Sequence, residues 1–285
     1  MAQARDDAPT PGWLGVVPGA ALLLLFLIPF GIMLAVSVAG REPGGFYQWG
    51  FDLAGYRRVM SAFVGGILLT SVAIAAGAAL IAVALALPFT VLLAGLSRRA
   101  QTAILVALLS VLSLSEVIVG FSVSTLLSRT AGVGNLLAWL GLTAEPQSYT
   151  PSLFALMTGL TYLSFPYAVL VLYPPVARLD PELGQASRTM GASPLRTFAG
   201  VTVPLLRAPI LGALILVFVF ALGSYLLPQV LGRPEHWTLS VHITDQAIYQ
   251  SNLPLAAAMA AVLLLATLAL VGLALLVARD KGAPA

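Results

Sequence analysis

The sequence contains no cysteine, which rules out disulfides, thiol nucleophiles and cysteine-ligated metal sites. Charge is almost as scarce. Only 9% of the 285 residues are charged, against roughly 25% in an ordinary soluble domain. The 14 basic residues include a single lysine, Lys281, close to the C-terminal end, and no G-x-x-x-x-G-K-[ST] phosphate loop exists, so ATP is not bound by that motif. H-E-x-x-H, a G-x-S-x-G elbow and paired acidic residues within apolar runs are likewise missing, which argues against a hydrolase. No metal and no cofactor is expected. The basic residues are scattered and form no aromatic-interleaved face, so the net charge of +3 gives no basis for nucleic-acid binding.

What the chain has in abundance is apolar length. Hydrophobic residues make up 59%, the mean hydropathy is +0.98, and six runs exceed the roughly 18 residues that a bilayer core about 30 Å thick requires of a helix. They lie at about 14–39, 65–96, 102–127, 152–176, 208–231 and 253–278. The first is too long for a signal-peptide core of about 7–15 residues and is expected to be a retained helix. These runs predict an all-α integral membrane protein with six transmembrane helices: a transmembrane domain over 14–278 between short tails at 1–13 and 279–285.

Six spans put both termini on one side, and the arginine bias says which. With the termini cytoplasmic, nine of the 14 basic residues face inward: Arg5, Arg98, Arg99, Arg178, Arg188, Arg196, Arg207, Arg279 and Lys281. Arg41, Arg57 and Arg58 in the first outer segment oppose the trend. Phe46, Tyr47, Trp49, Trp139 and Trp237 fall where an interfacial aromatic belt belongs. No internal repeat or second domain is visible.

The one sizeable inward-facing segment, 178–209, is punctuated as two short helices. Asp180 is an N-cap followed by Pro181, a residue suited to the first helical position, and Glu182 suits the positive end of the helix dipole. Gly191 is the residue type that closes a helix in the left-handed conformation. Ser193-Pro194 repeats the start signal for a second short helix through Phe198, with a turn back to the membrane near Pro204.

This segment resembles the EAA loop of binding-protein-dependent ABC permeases, a family of MetI-like fold. Its pattern is Glu-Ala-Ala, three residues, Gly, nine residues, Ile-x-Leu-Pro. Gln185, Ala186 and Ser187 fall on the triplet, Gly191 on the glycine, and Val201, Val203 and Pro204 on the ending. Gln185 departs from the glutamate, losing an ion pair that Glu182 is placed to replace. Thr70-Ser71-Val72, Ser115 to Gly120 and Gly223 to Gly232 look like the branch importing spermidine and putrescine, though permeases for iron(III), thiamine and amino-acid derivatives share these features. The resemblance implies a cytoplasmic coupling helix over about 181–190, an ABC ATPase subunit dimer that supplies the energy, a second and different permease subunit, and a periplasmic or lipoprotein solute-binding protein. The setting it implies is a multi-pass protein in the lipid of the bacterial inner membrane.

Glu116 is the one acidic side chain well inside an apolar run, about 14 residues and roughly 20 Å along the third. It reads either as a site attracting a cationic solute or as a structural hydrogen-bond acceptor. Tyr162, Tyr167, Tyr225 and Gln229 are further pathway candidates, with Pro166 and Pro228 expected to bend or end helices beside them. Beyond Trp237, the spacing of Leu239, Ile243 and Ile248 predicts a short helix across the outer mouth. His242 and Asp245 on it form either a gate or binding-protein contact, or a plain surface hydrogen bond. An ion-gradient-driven secondary transporter is the rival class. It is disfavoured because no inverted repeat with matching interrupted helices is apparent.

Overall fold

The computed structural model describes residues 13–42, 45–130 and 132–280. The tails expected at 1–13 and 279–285, with Arg5 and Lys281, lie almost wholly outside the described residues. Among those described the chain is all-helical apart from one isolated bridge, Gly40 to Gln48. In chain order the helices are α1 (Trp13–Ser37), α2 (Ala54–Val59), α3 (Ala62–Ala94), α4 (Arg98–Leu112), α5 (Glu116–Leu126), α6 (Val133–Trp139) and α7 (Leu153–Ala177). There follow α8 (Pro181–Thr189), α9 (Pro194–Thr197), a π-helical turn (Phe198–Thr202), α10 (Val203–Leu205), α11 (Arg207–Gly223), α12 (Leu226–Leu231), a 3-10 turn (Pro234–His236), α13 (Leu239–Thr244), a second π turn (Asp245–Tyr249) and α14 (Leu253–Asp280).

Four helices, α1, α3, α7 and α14, are long and apolar enough to cross a bilayer unaided. Two further pairs of helices reach that length only when taken together, each bent at a short break. The expected third span is broken at Ser113–Ser115, where α4 and α5 meet at 97°, and the stretch Pro194–Leu205 meets α11 at 76°. The break between α4 and α5 corrects the reading of a continuous third helix. Ser115 caps α5 by accepting from the N–H of Val117 at 3.3 Å, so a new helix starts there. Glu116 is therefore the first residue of a short helix, and the 20 Å placement along an unbroken one does not hold. The expected fifth span is interrupted as well, by Ser224 and Tyr225 between α11 and α12.

The core is the packing of α3, α7 and α11. Small residues allow it: Ala78, Ala82 and Ala86, spaced four apart on α3, are fully buried, as expected where helices in a bilayer approach through small side chains. Gly159 of α7 receives α12 so closely that a Cβ there would lie 2.5 Å from Leu231 Cδ1. Over its most apolar stretch α7 is 56% buried, whereas the corresponding stretches of α1 and α14 are 6% and 11% buried. Helix α7 is thus central, and α1 and α14 are peripheral helices packed on each other. Pro166 neither breaks nor ends α7, which continues to Ala177.

Two polar clusters at opposite ends

At one end of the bundle, α8 and α9 form the hairpin expected from residues 178–209. Asp180 Oδ1 accepts from the N–H of Glu182 at 2.9 Å, with Pro181 as first helical residue. Closure is a Schellman motif: Gly191 takes φ +86°, its N–H donates to Arg188 O at 2.9 Å, and that of Ala192 to Ser187 O at 3.1 Å. Ser193 then caps α9, accepting from Arg196 N at 3.3 Å. The helix does not stop at Phe198 as expected. It runs on through the π turn and α10, past Pro204, to Leu205.

Glu182, Gln185, Ala186, Gly191 and Pro204 are exposed, whereas Ser187 turns inward and its hydroxyl meets that of Thr197 at 3.1 Å. This buried pair joins α8 to α9. It leaves Leu183, Met190 and Leu195 bare, at 45%, 82% and 80% exposure. Behind α8 a cavity of about 170 Å³ opens toward the ends of α3 and α7, bordered by Ala94, Val176 and Leu183.

At the opposite end the separate sequence motifs converge. Glu116 Oε1 accepts from the Ser224 hydroxyl and, at 3.3 Å, from the N–H of Leu227 at the start of α12. The Ser240 hydroxyl donates to Leu222 O at 2.7 Å, and Ser71 Oγ accepts from Leu239 N at 2.7 Å. These bonds tie α5 to the α11–α12 break and α12, and α13 to α11 and α3. In the sequence Ser71, Glu116 and Ser224 belong to separate motifs, with nothing that joins them. The detectable signal at Glu116 and Ser224 is a polar residue where a helix starts or stops, whereas Ser71 lies inside α3 and carries none.

Tyr225 sits in that break, 40% exposed, and Gln229 is half-buried on α12. The other pathway candidates are elsewhere. Tyr162 lines an apolar groove of about 650 Å³ with Leu85, Leu108 and Phe165, and Tyr167 packs on Phe220 with ring centres 4.9 Å apart. His242 lies edge-on between Trp237 and Phe63, at 6.2 and 6.3 Å. Burial pushes its imidazole below the usual histidine value, with the Asp245 carboxylate opposing the shift. Leu239 and Ile243 pack inward as expected, but Ile248 is 66% exposed. The π turn over Asp245–Tyr249 is the reason, since its wider winding carries residue 248 off the packed face.

A helical membrane bundle with interrupted spans and a capped hairpin at one end is the architecture of a transport permease. Residues 86–282 match the family model for the binding-protein-dependent transport system inner membrane component. The chain belongs to that family: it is a multi-pass inner-membrane permease subunit of an ABC importer. It is 28% identical over 239 residues to the spermidine/putrescine transport system permease protein PotB of Escherichia coli, covering 83% of this chain and 86% of that relative. The PotB of Haemophilus influenzae is 23% identical over 237 residues. In fold it is similar to a chain of a bacterial ABC transporter involved in the import of alginate, with a TM-score of 0.77 at 16% identity over 95% of this chain and 96% of that one.

Proposed function

We propose that this permease carries a small polyamine-type cation, released by a solute-binding protein at the α13 end and driven across by an ABC ATPase dimer seated on the α8–α9 hairpin. The observation that carries the solute class is the similarity to spermidine/putrescine permeases over 83% of the chain. Glu116 agrees with it, as an acidic side chain at the broken part of a span, where a cation passing α5 and α12 would meet its free oxygen. Tyr225 and Gln229 border the same place, and Trp237, His242 and Asp245 would form the outer gate or binding-protein contact.

The hairpin supports the coupling role. Exposed Leu183 on α8, Met190 just past its end and Leu195 on α9, beside Glu182, Gln185 and Ala186 of α8, make a surface that a protein partner would cover. ATP hydrolysis then belongs to the partner, and both termini lie on its cytoplasmic side together with Arg98, Arg99, Arg178, Arg188, Arg196 and Arg207. The membrane domain spans 14–278, and a second, different permease chain completes the pathway.

The test is uptake by proteoliposomes holding the chain with its co-expressed transporter subunits and binding protein. Labelled putrescine or spermidine should accumulate only with ATP on the hairpin side. Uptake of thiamine or iron(III) that excess polyamine fails to inhibit would contradict the solute assignment and leave the coupling assignment standing.

A further inference from the structure

At the α13 end a cavity of about 540 Å³ opens between the end of α1, helix α2 and the start of α14, within the roughly 300–1,000 Å³ range of small-ligand sites. Arg41, Arg57 and Arg58 line it, together with one acidic residue, Asp52. The carboxylate of Asp52 is already engaged, accepting from the N–H of Ala54 at 2.8 Å. Among the described residues nothing engages the three guanidinium groups. On its floor Gly55 of α2 faces α14, where a Cβ would stand in ordinary contact, 3.4 Å from Ala258 and 3.6 Å from the Pro254 carbonyl. Helix α2 thus packs on α14 with Arg57 and Arg58 lining the cavity.

We propose that this cavity binds the phosphodiester headgroup of an anionic phospholipid. Three unpaired arginines against one occupied carboxylate leave an excess of positive charge, and guanidinium forks match phosphate oxygens. The surroundings favour a lipid over a soluble phosphate ester or an acidic protein. The cavity lies at the ends of α1 and α14, the two helices with the least buried apolar stretches, so acyl chains hanging from a bound headgroup would run along bare hydrophobic surface. The same outer segment exposes Phe46, Trp49 and Phe51, aromatic side chains of the kind that sit at headgroup level. The arginines that run against the charge bias of the topology thus acquire a reason for being there.

The experiment is native mass spectrometry of the transporter released from nanodiscs of phosphatidylcholine with or without phosphatidylglycerol. The wild type should retain phosphatidylglycerol in preference. An Arg41→Gln, Arg57→Gln, Arg58→Gln variant should lose that preference by roughly fivefold per arginine removed, while Arg129→Gln with Arg233→Gln, at the same end, should keep it. Equal retention by the triple variant, or equal loss in the control pair, would overturn the proposal. Displacement of the lipid by glycerol 3-phosphate alone would overturn it in favour of a soluble ester. Unchanged lipid retention with loss of response to the binding protein would reassign the arginines to a protein contact. Because lipid retention is read without transport, a wrong solute assignment leaves this result intact.

Discussion

The Ser224 hydroxyl and the Leu227 N–H donate to one carboxylate oxygen of Glu116, bridging 108 and 111 residues of sequence. The contact ties the first residue of α5 to the start of α12. Each of these helices begins just after a break in an apolar run. A carboxylate near the N-terminus of a helix is favoured by the orphan N–H groups and the dipole there, which accounts for an acidic side chain among so many apolar ones. The same oxygen cannot be moved without loosening α12 from α5.

Glu116→Gln keeps an acceptor for Ser224 and Leu227 and removes only the charge. Polyamine uptake is expected to fall while assembly with the ATPase is preserved. Glu116→Ala should in addition lower the thermal midpoint, since stranding the two donors costs about 1–3 kcal/mol. Wild-type uptake by the glutamine variant across the working pH range would reduce Glu116 to a structural acceptor.

Gly191 holds φ +86° with open space where a Cβ would stand, so a substitution there is opposed by backbone torsion and not by a clash. Gly191→Val should cost about 1–2 kcal/mol at the hairpin turn and leave insertion intact. ATPase activity should then no longer be stimulated by the loaded binding protein. Gly191→Asn should be milder, because asparagine tolerates the left-handed region. A valine variant with normal solute-driven uptake would count against the coupling role.

Gly159 tests the packing of α12 on α7. Gly159→Val should destabilise by about 1–3 kcal/mol through overpacking against Leu231, seen as a lower unfolding midpoint in detergent. Adding Leu231→Ala should recover part of that loss. Additive effects of the two changes would mean that the residues do not share the contact.

The hairpin was legible in the sequence because its instructions are local. Asp180, Pro181, Gly191 and Ser193 each act on backbone groups within a few residues, so their chemistry can be read without knowing the fold. The broken spans were not legible, because an apolar run looks the same to a bilayer whether or not the helix turns inside it. At Ser113–Ser115 a single serine cap decides the matter. Likewise, nothing in the local sequence announces that Glu116 and Ser224 meet, since only the close approach of α12 to Gly159 and Gly120 brings α5 and α7 around it. Ile248 departs from the expected face because hydrophobic spacing assumes an α-helical period that the π turn over Asp245–Tyr249 does not keep.

The absence of native cysteine makes one measurement unusually clean. A Gln185→Cys variant carries a single thiol on the exposed face of α8, and a membrane-impermeant maleimide should label it in inside-out vesicles but not in right-side-out ones. Binding of the ATPase subunit should then protect it. Labelling from the outside, or labelling that the ATPase leaves unchanged, would contradict the claim that α8 is the cytoplasmic element through which ATP hydrolysis drives this permease.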